Sequence, residues 1–405
     1  MRLLSLIAVF ALFYGCSTPP QKLPTGWWRG EILLQGQTLP FNFEVTEKNG
    51  VFSAALRNVT ERLALDDIRR EGDTVIFAMH IFDTELRARL QGDSLVGYYI
   101  KNFETNYRLP FKARAGQDYR FSKVTDASPD FSGTYEVRFS NPDESTDAVG
   151  IFTQTANGVT GTFLTPTGDY RYLEGNVEND TLHLSTFDGH HAFLFTASLQ
   201  GDSIHGDYWS GKGFHQQWKG VKNAQAKLPD PESLTYLKPG YEKIEFSFPG
   251  LDGKPVSPAD PRFAGKVLIL QIFGTWCPNC MDETKFLTQW YAENHDRGVE
   301  ILGLAYERKN DFEYASGRVK KMKEKLGVGF DYVIAGTYDK QEASGTLPML
   351  NQVLAFPTTI FIGKDGKVKH IRTGFEGPGT GEHYDEFRKQ FNNRVNELLS
   401  EKSGS

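Results

Sequence analysis

Hydrophobic and polar positions divide the chain into stretches with different periods. Between residues 23 and 222 apolar and polar residues alternate in short runs broken by Gly, Asn and Asp, as in Gly72-Asp73-Thr74-Val75-Ile76-Phe77 and Gly92-Asp93-Ser94-Leu95-Val96-Gly97-Tyr98-Tyr99. A period of two fits half-buried strands, and the turn residues between the runs predict many short antiparallel strands, roughly eight in each of two units. From Tyr241 the pattern changes. An initial strand and turn is predicted over 244–253, then a near-unbroken apolar run, Val267-Leu268-Ile269-Leu270-Gln271-Ile272-Phe273, of the kind a sheet buried on both faces requires. Helical spacing follows over 281–294 through Phe286, Leu287, Trp290 and Tyr291. Further strands are expected at 299–306, 331–334 and 358–362, with a hairpin at 363–366 leading into 368–372. Helices are expected around 314–326 and 384–399. Strands alternating with helices predict a layered α/β domain.

The strand-rich stretch repeats itself. Residues 24–32 line up with 129–137, Asn49-Gly50-Val51 with Asn157-Gly158-Val159, and Glu71-Gly72-Asp73-Thr74 with Glu178-Asn179-Asp180-Thr181; Leu90-Gln91-Gly92-Asp93-Ser94 recurs intact as Leu199-Gln200-Gly201-Asp202-Ser203. Several matches in one order imply a duplicated unit spanning 23–115 and 126–222. Short, evenly spaced strands favour closure into a small barrel or a sandwich, because closure removes exposed edges. The opening of the first unit, Gly26 to Gly30, loosely resembles the start of lipocalin-type barrels. A barrel of this size can hold an apolar ligand but is more often filled by its own side chains. Trp27, Trp28, Trp209 and Trp218 are read as core anchors. Residues 223–240, with prolines at 229 and 231, read as a linker to a domain over 241–401.

Composition narrows the function. The 405 residues carry 45 basic and 51 acidic side chains without long runs of one sign, which leaves no electrostatic footprint for nucleic acid. The start, residues 1–16, has the form of a signal peptide: Arg2 precedes an apolar run too short to span a bilayer. Its end, Phe13-Tyr14-Gly15-Cys16, resembles a bacterial lipobox, so Cys16 is the expected lipidation site and membrane anchor, with residues 17–20 as a tether. Ser17 after that cysteine, rather than an aspartate, leans the anchor toward the outer membrane. Of three cysteines this leaves one pair, Cys277 and Cys280, and no framework of structural disulfides. His183, His190, His191, His205 and His215 crowd the second unit without the paired spacing of a metal site, and the C-x-x-C has no second half, so no metal is expected.

That pair lies where a buried strand runs into a helix. A thiol at the amino end of a helix meets free backbone N–H groups and the positive pole of the helix dipole, both of which favour thiolate. Cys277 is thus the expected exposed nucleophile and Cys280, one turn further in, the shielded resolving thiol. Pro278 suits an early helix position, where its missing N–H is harmless.

The segment Gly274-Thr275-Trp276-Cys277-Pro278-Asn279-Cys280-Met281-Asp282-Glu283 resembles the active-site segment of the TlpA/ResA-like thiol-disulfide oxidoreductases of the thioredoxin superfamily. The resemblance implies a thioredoxin fold and places Trp276, Pro278 and Asn279 beside the cysteines. It also implies that Phe356-Pro357-Thr358 is a cis-proline loop facing the pair and that Glu283 tunes the thiols. Gln271 stands where thioredoxin has a buried aspartate, a departure that shifts proton handling toward Glu283.

The fold class expected is therefore multidomain, two tandem all-β barrel-like or sandwich units followed by an α/β thioredoxin-like domain. The function expected is an envelope thiol-disulfide oxidoreductase, lipid-anchored and periplasm-facing, needing no cofactor. It would reduce disulfides of exported proteins and be recharged by an upstream thiol reductant. The alternative is a lipid-anchored binding protein whose β units capture a ligand or partner, with an accessory thiol domain.

Overall fold

In the computed structural model residues 21–65 and 67–401 are described; the expected signal peptide and Cys16 lie outside them. Two nine-stranded antiparallel sheets come first, followed by a five-stranded mixed sheet flanked by helices. The first sheet runs from Gly26–Leu34 to Arg108–Ala115, and these two strands pair with each other in its middle. The second runs from Gly133–Ser140 to Phe214–Lys222, and an added pairing of Ser145–Thr155 with Gly158–Thr165 closes it into a ring. Closure satisfies the ladder hydrogen bonds that an open edge would leave unpaired.

The duplication is visible in the register. Gly26 pairs with Val45 and Gly133 with Phe152, while Trp28 pairs with Ala115 and Tyr135 with Lys222. Gly26 therefore corresponds to Gly133, two residues beyond the Phe131 that the opening motif suggested. Each of the two glycines starts its strand at positive φ, 98° and 131°, where a side chain would be strained. Four residues upstream of each first large core side chain lies its acceptor: the Trp28 indole donates to the Pro24 carbonyl at 3.1 Å, and the Tyr135 hydroxyl to Phe131 at 3.2 Å.

Both interiors are filled by protein. In the second unit Phe139, Phe152, Phe163, Phe195, Tyr208 and Trp218 form one aromatic cluster, with Phe163 edge-on to Phe152 and Trp218. In the first, Trp28, Phe41, Phe43 and Phe111 stack, and Phe187 from the second unit inserts beside Phe41 at 4.6 Å. The two units thus share part of one core.

In the third sheet the strand order is β3-β2-β1-β4-β5, with β1 (Val267–Phe273), β2 (Val299–Glu307), β3 (Asp331–Thr337), β4 (Thr358–Ile362) and β5 (Val368–Thr373). The first three are parallel to one another, while β4 and β5 run antiparallel to their neighbours. Every residue of β1 is buried, as its unbroken apolar run demands. Helices α1 (Pro278–Asn294), α2 (Phe312–Leu326), α3 (Lys340–Thr346) and α4 (Glu382–Ser400) flank the sheet. Helix α1 begins at Pro278, three residues before its apolar periodicity starts. The expected strand over 244–253 is reduced to a two-residue pairing, Phe248–Pro249 with Pro255–Val256, since proline removes ladder donors at both strands. Short α3 carried no periodic signal; Asp339 caps it by accepting from the Gln341 and Glu342 amides.

Phe163 is fully buried among five aromatic neighbours. Phe163→Ala is expected to lower stability by about 3–5 kcal/mol, read as a fall in the urea midpoint. A change below about 1 kcal/mol would contradict a filled interior.

Candidate functional site

The site begins where β1 ends. Gly274 must be glycine, because a Cβ there would lie 2.1 Å from the Trp276 indole nitrogen and 2.7 Å from the Tyr306 carbonyl. That indole donates to the same carbonyl at 2.8 Å. Thr275 is held at both ends by Glu307, whose carboxyl accepts from the Thr275 amide at 2.8 Å and its hydroxyl at 2.9 Å. The chain then turns through Cys277, the N-cap of α1, in extended conformation with φ −100° and ψ 112°.

Cys277 and Cys280 are disulfide-bonded, with their Cα atoms 5.2 Å apart. The Cys280 amide points at the Cys277 sulfur from 3.2 Å, the helix-end donor that the sequence placed there. The bond before Pro357 is cis, and the Phe356 carbonyl oxygen lies 3.4 Å from the Cys277 sulfur. Trp276, half-buried, packs against Phe356 and Tyr338. Thr358 turns inward and donates to the Ala355 carbonyl at 2.9 Å, fixing the loop that carries Pro357.

One turn beyond Cys280, Glu283 is buried between β1 and β4. Gln271 donates to it at 2.9 Å and Thr359 at 2.7 Å. Burial pushes its carboxyl up to about 7, against the pull of those two hydrogen bonds. Gln271, which lacks a titratable proton, thus serves Glu283 as a donor. Glu307 is raised to about 7 in the same way, by burial opposed by its bonds to Thr275. Among the described residues no group of three or more His, Cys, Asp and Glu side chains is arranged to hold a metal.

Cys277 was expected to be exposed, but only 6% of it is. Its own contacts are the Phe356 carbonyl and the Cys280 amide, and both β units pack against the residues around it. In the second, the turn after Gly168–Asp169 reaches the residues between the cysteines: Asn279 donates to the Asp169 carbonyl at 3.0 Å, and Arg171 donates to the Pro278 carbonyl at 3.2 Å. The buried Arg171 guanidinium also pairs with Asp282 of α1, with Glu61 of the first unit, and with Asp188 at 3.3 Å. From the first unit, Phe103 lies 3.7 Å from the Arg308 guanidinium, whose next ring is Trp276. Sequence reasoning missed Arg171, Asp169 and Glu307, because each acts through a partner distant in the chain.

Residues 238–386 match the Redoxin family. The chain is 32% identical over 140 residues to the thiol-disulfide oxidoreductase ResA of Geobacillus thermodenitrificans, covering 35% of this chain and 72% of that protein. It is 28% identical over 151 residues to ResA of Bacillus thuringiensis subsp. konkukian, covering 37% and 77%. A crystal structure of a thioredoxin-family thiol:disulfide interchange protein from Chlorobium tepidum aligns at 23% identity and a TM-score of 0.31, over 39% of this chain and 96% of that one.

The buried carboxyls set a pH dependence. Folded Glu283 keeps its proton up to about pH 7, whereas its usual value is 4.5. Its contribution to stability is thus complete below pH 4.5 and is lost as the pH rises through 7. Glu307 and Asp169, each raised to about 7, act in the same sense. Urea stability should fall from about pH 4.5 to about pH 8, and Glu283→Gln should remove on the order of 1–3 kcal/mol of that fall. A fall undiminished in the variant would contradict the buried, raised carboxyl.

Proposed function

Through its C-terminal part the chain belongs to the ResA-like thiol-disulfide oxidoreductases, and from that premise we propose that Cys277 is the attacking thiol and Cys280 the resolving one, working to reduce disulfides of exported proteins. The observation that carries this is the placement of the Cys277 sulfur. It caps α1, receives the Cys280 N–H at 3.2 Å, and faces the carbonyl before Pro357 at 3.4 Å.

In the reduced protein the Cys277 thiolate attacks one sulfur of a substrate disulfide. A Cys277–substrate bond forms, the substrate bond breaks, and the departing sulfur takes up a proton. Cys280 then attacks the Cys277 sulfur, releasing the second substrate thiol and closing the Cys277–Cys280 disulfide. Two electrons have passed to the substrate, and an upstream dithiol reductant returns them. No cofactor enters.

Pro357 and Thr358 shape the loop that meets the substrate chain, while Trp276, Pro278 and Asn279 frame the pair. Glu283 supplies a proton store close to neutrality, since its raised carboxyl exchanges protons near pH 7. Delivery to the cell envelope rests on the signal-like residues 1–16 and lipidation of Cys16. A lipid anchor would replace a spanning helix; among the described residues no helix is long and apolar enough to cross a membrane. The outer membrane, by the Ser17 argument, is the assigned side. The filled β interiors favour this reading over ligand capture by the β units.

Full-length Cys280→Ser, expressed in the envelope, should accumulate mixed disulfides through Cys277 that run as thiol-sensitive adducts on gels, whereas Cys277→Ser should form none. Equal adducts from both variants, or none from either, would contradict the assigned roles.

A further inference from the structure

The groove beside Cys277 has one wall that a lone thioredoxin-like domain would lack. It encloses about 270 Å³ and runs between the cis-proline loop, with Ala355 and Phe356, and the turn of the second β unit from Thr165 to Tyr170. That turn is fastened into the redox domain. Its Asp169 carboxylate accepts from the Gly377 amide at 2.7 Å, and its carbonyl accepts from Asn279. Arg171, at φ 60°, anchors it to Pro278 and Asp282.

The redox domain is shaped to receive this turn. After β5 the chain reads Gly374-Phe375-Glu376-Gly377-Pro378-Gly379-Thr380-Gly381. A Cβ on Gly374 would lie 3.1 Å from the Thr167 backbone, one on Gly377 3.3 Å from the Asp169 carboxylate, and one on Gly379 2.8 Å from the Arg171 backbone. Three glycines in one short segment thus allow close approach of the same turn. Resting on the function proposed above, we propose that the 165–172 turn is the substrate-selecting wall of the redox site, and that it admits disulfides carried on an extended, unfolded polypeptide segment while excluding folded surfaces.

Three observations choose that occupant. Folded partners bury roughly 800 Å² on each side of an interface, and a 270 Å³ groove beside a cysteine only 6% exposed admits only a thin segment. Both walls are narrow loop backbone, the hairpin turn leading into Gly168–Asp169 on one side and the bend at Ala355 to cis-Pro357 on the other, a cleft for a single chain rather than a flat face. The basic side chains on the lining are Lys340 and His191. That is a poor grip for a small polyanionic thiol and a tolerant one for varied peptide sequence.

The test uses the reduced full-length protein and two probes with one leaving group. The first is an unstructured peptide whose single cysteine is disulfide-linked to nitrothiobenzoate. The second is a folded globular protein with a surface cysteine bearing the same group. Coloured nitrothiobenzoate release gives the rate, and wild type should take the peptide at least about tenfold faster relative to each probe's rate with dithiothreitol. Gly379→Val, which pushes the Arg171 backbone away, should raise the folded-probe rate at least about fivefold and leave the peptide rate within about twofold. Thr167→Trp, which fills the groove from an exposed position, should slow the peptide about tenfold without moving the midpoint potential. Equal normalised rates for both probes in wild type, or an unchanged peptide rate in Thr167→Trp, would overturn the selecting wall. Inertness of reduced wild type toward both probes would instead overturn the oxidoreductase reading beneath it.

Discussion

The Cys277 sulfur sits at the one point where the buried strand β1 hands over to helix α1, and the surrounding structure serves that placement. Gly274 gives the turn the room it needs beneath the Trp276 ring. Glu307 pins Thr275 from the end of β2, and the Cys280 amide meets the sulfur at the helix end. Helix-end donors favour negative charge at this atom over any other on the helix, because the unpaired N–H groups and the dipole act there together. A shift of the sulfur by one residue in either direction would forfeit both.

Around that atom the protein buries several groups that would ordinarily be ionised. Glu283, Glu307 and Asp169 each lie near neutrality, raised chiefly by burial. The Arg171 guanidinium, by contrast, is held charged by Asp282, Glu61 and Asp188, and in turn Asp188 is drawn below the usual carboxylate range by His191 and Arg171 despite its burial. Burial of single charges is costly unless partners satisfy them, so this cluster makes the relative placement of three structural units specific: one cation joins both β units to the helix that carries the cysteines. The β units are thereby part of the redox site's architecture.

Much of this was legible in the sequence, for physical reasons particular to each element. The apolar run of β1 announced a doubly buried strand, and its continuation into Trp276-Cys277 fixed the cysteines at a strand-to-helix junction. The duplication was legible through its turns, although the first match was out of register by two residues, because Trp27-Trp28 and the strand-opening Gly133 offered competing anchors. Glu283 could be singled out only through resemblance, since a charge in a first helical turn is ordinarily solvated; its partners, Gln271 and Thr359, come from two strands distant in the chain. Arg171 and Asp169 gave no local signal. The glycine-rich run 374–381 was the trace of their contact, unreadable until the opposing turn was placed.

What the proposed function requires above all is that Cys277 and Cys280 form a working redox couple and not a structural staple. Full-length protein equilibrated across a graded dithiothreitol series, with the thiols counted by alkylation, tests it most directly. A working couple gives a single two-electron transition with a midpoint above about −300 mV. A pair that stays oxidised below that potential, as structural disulfides do, or one that cannot be cycled at all, would contradict it.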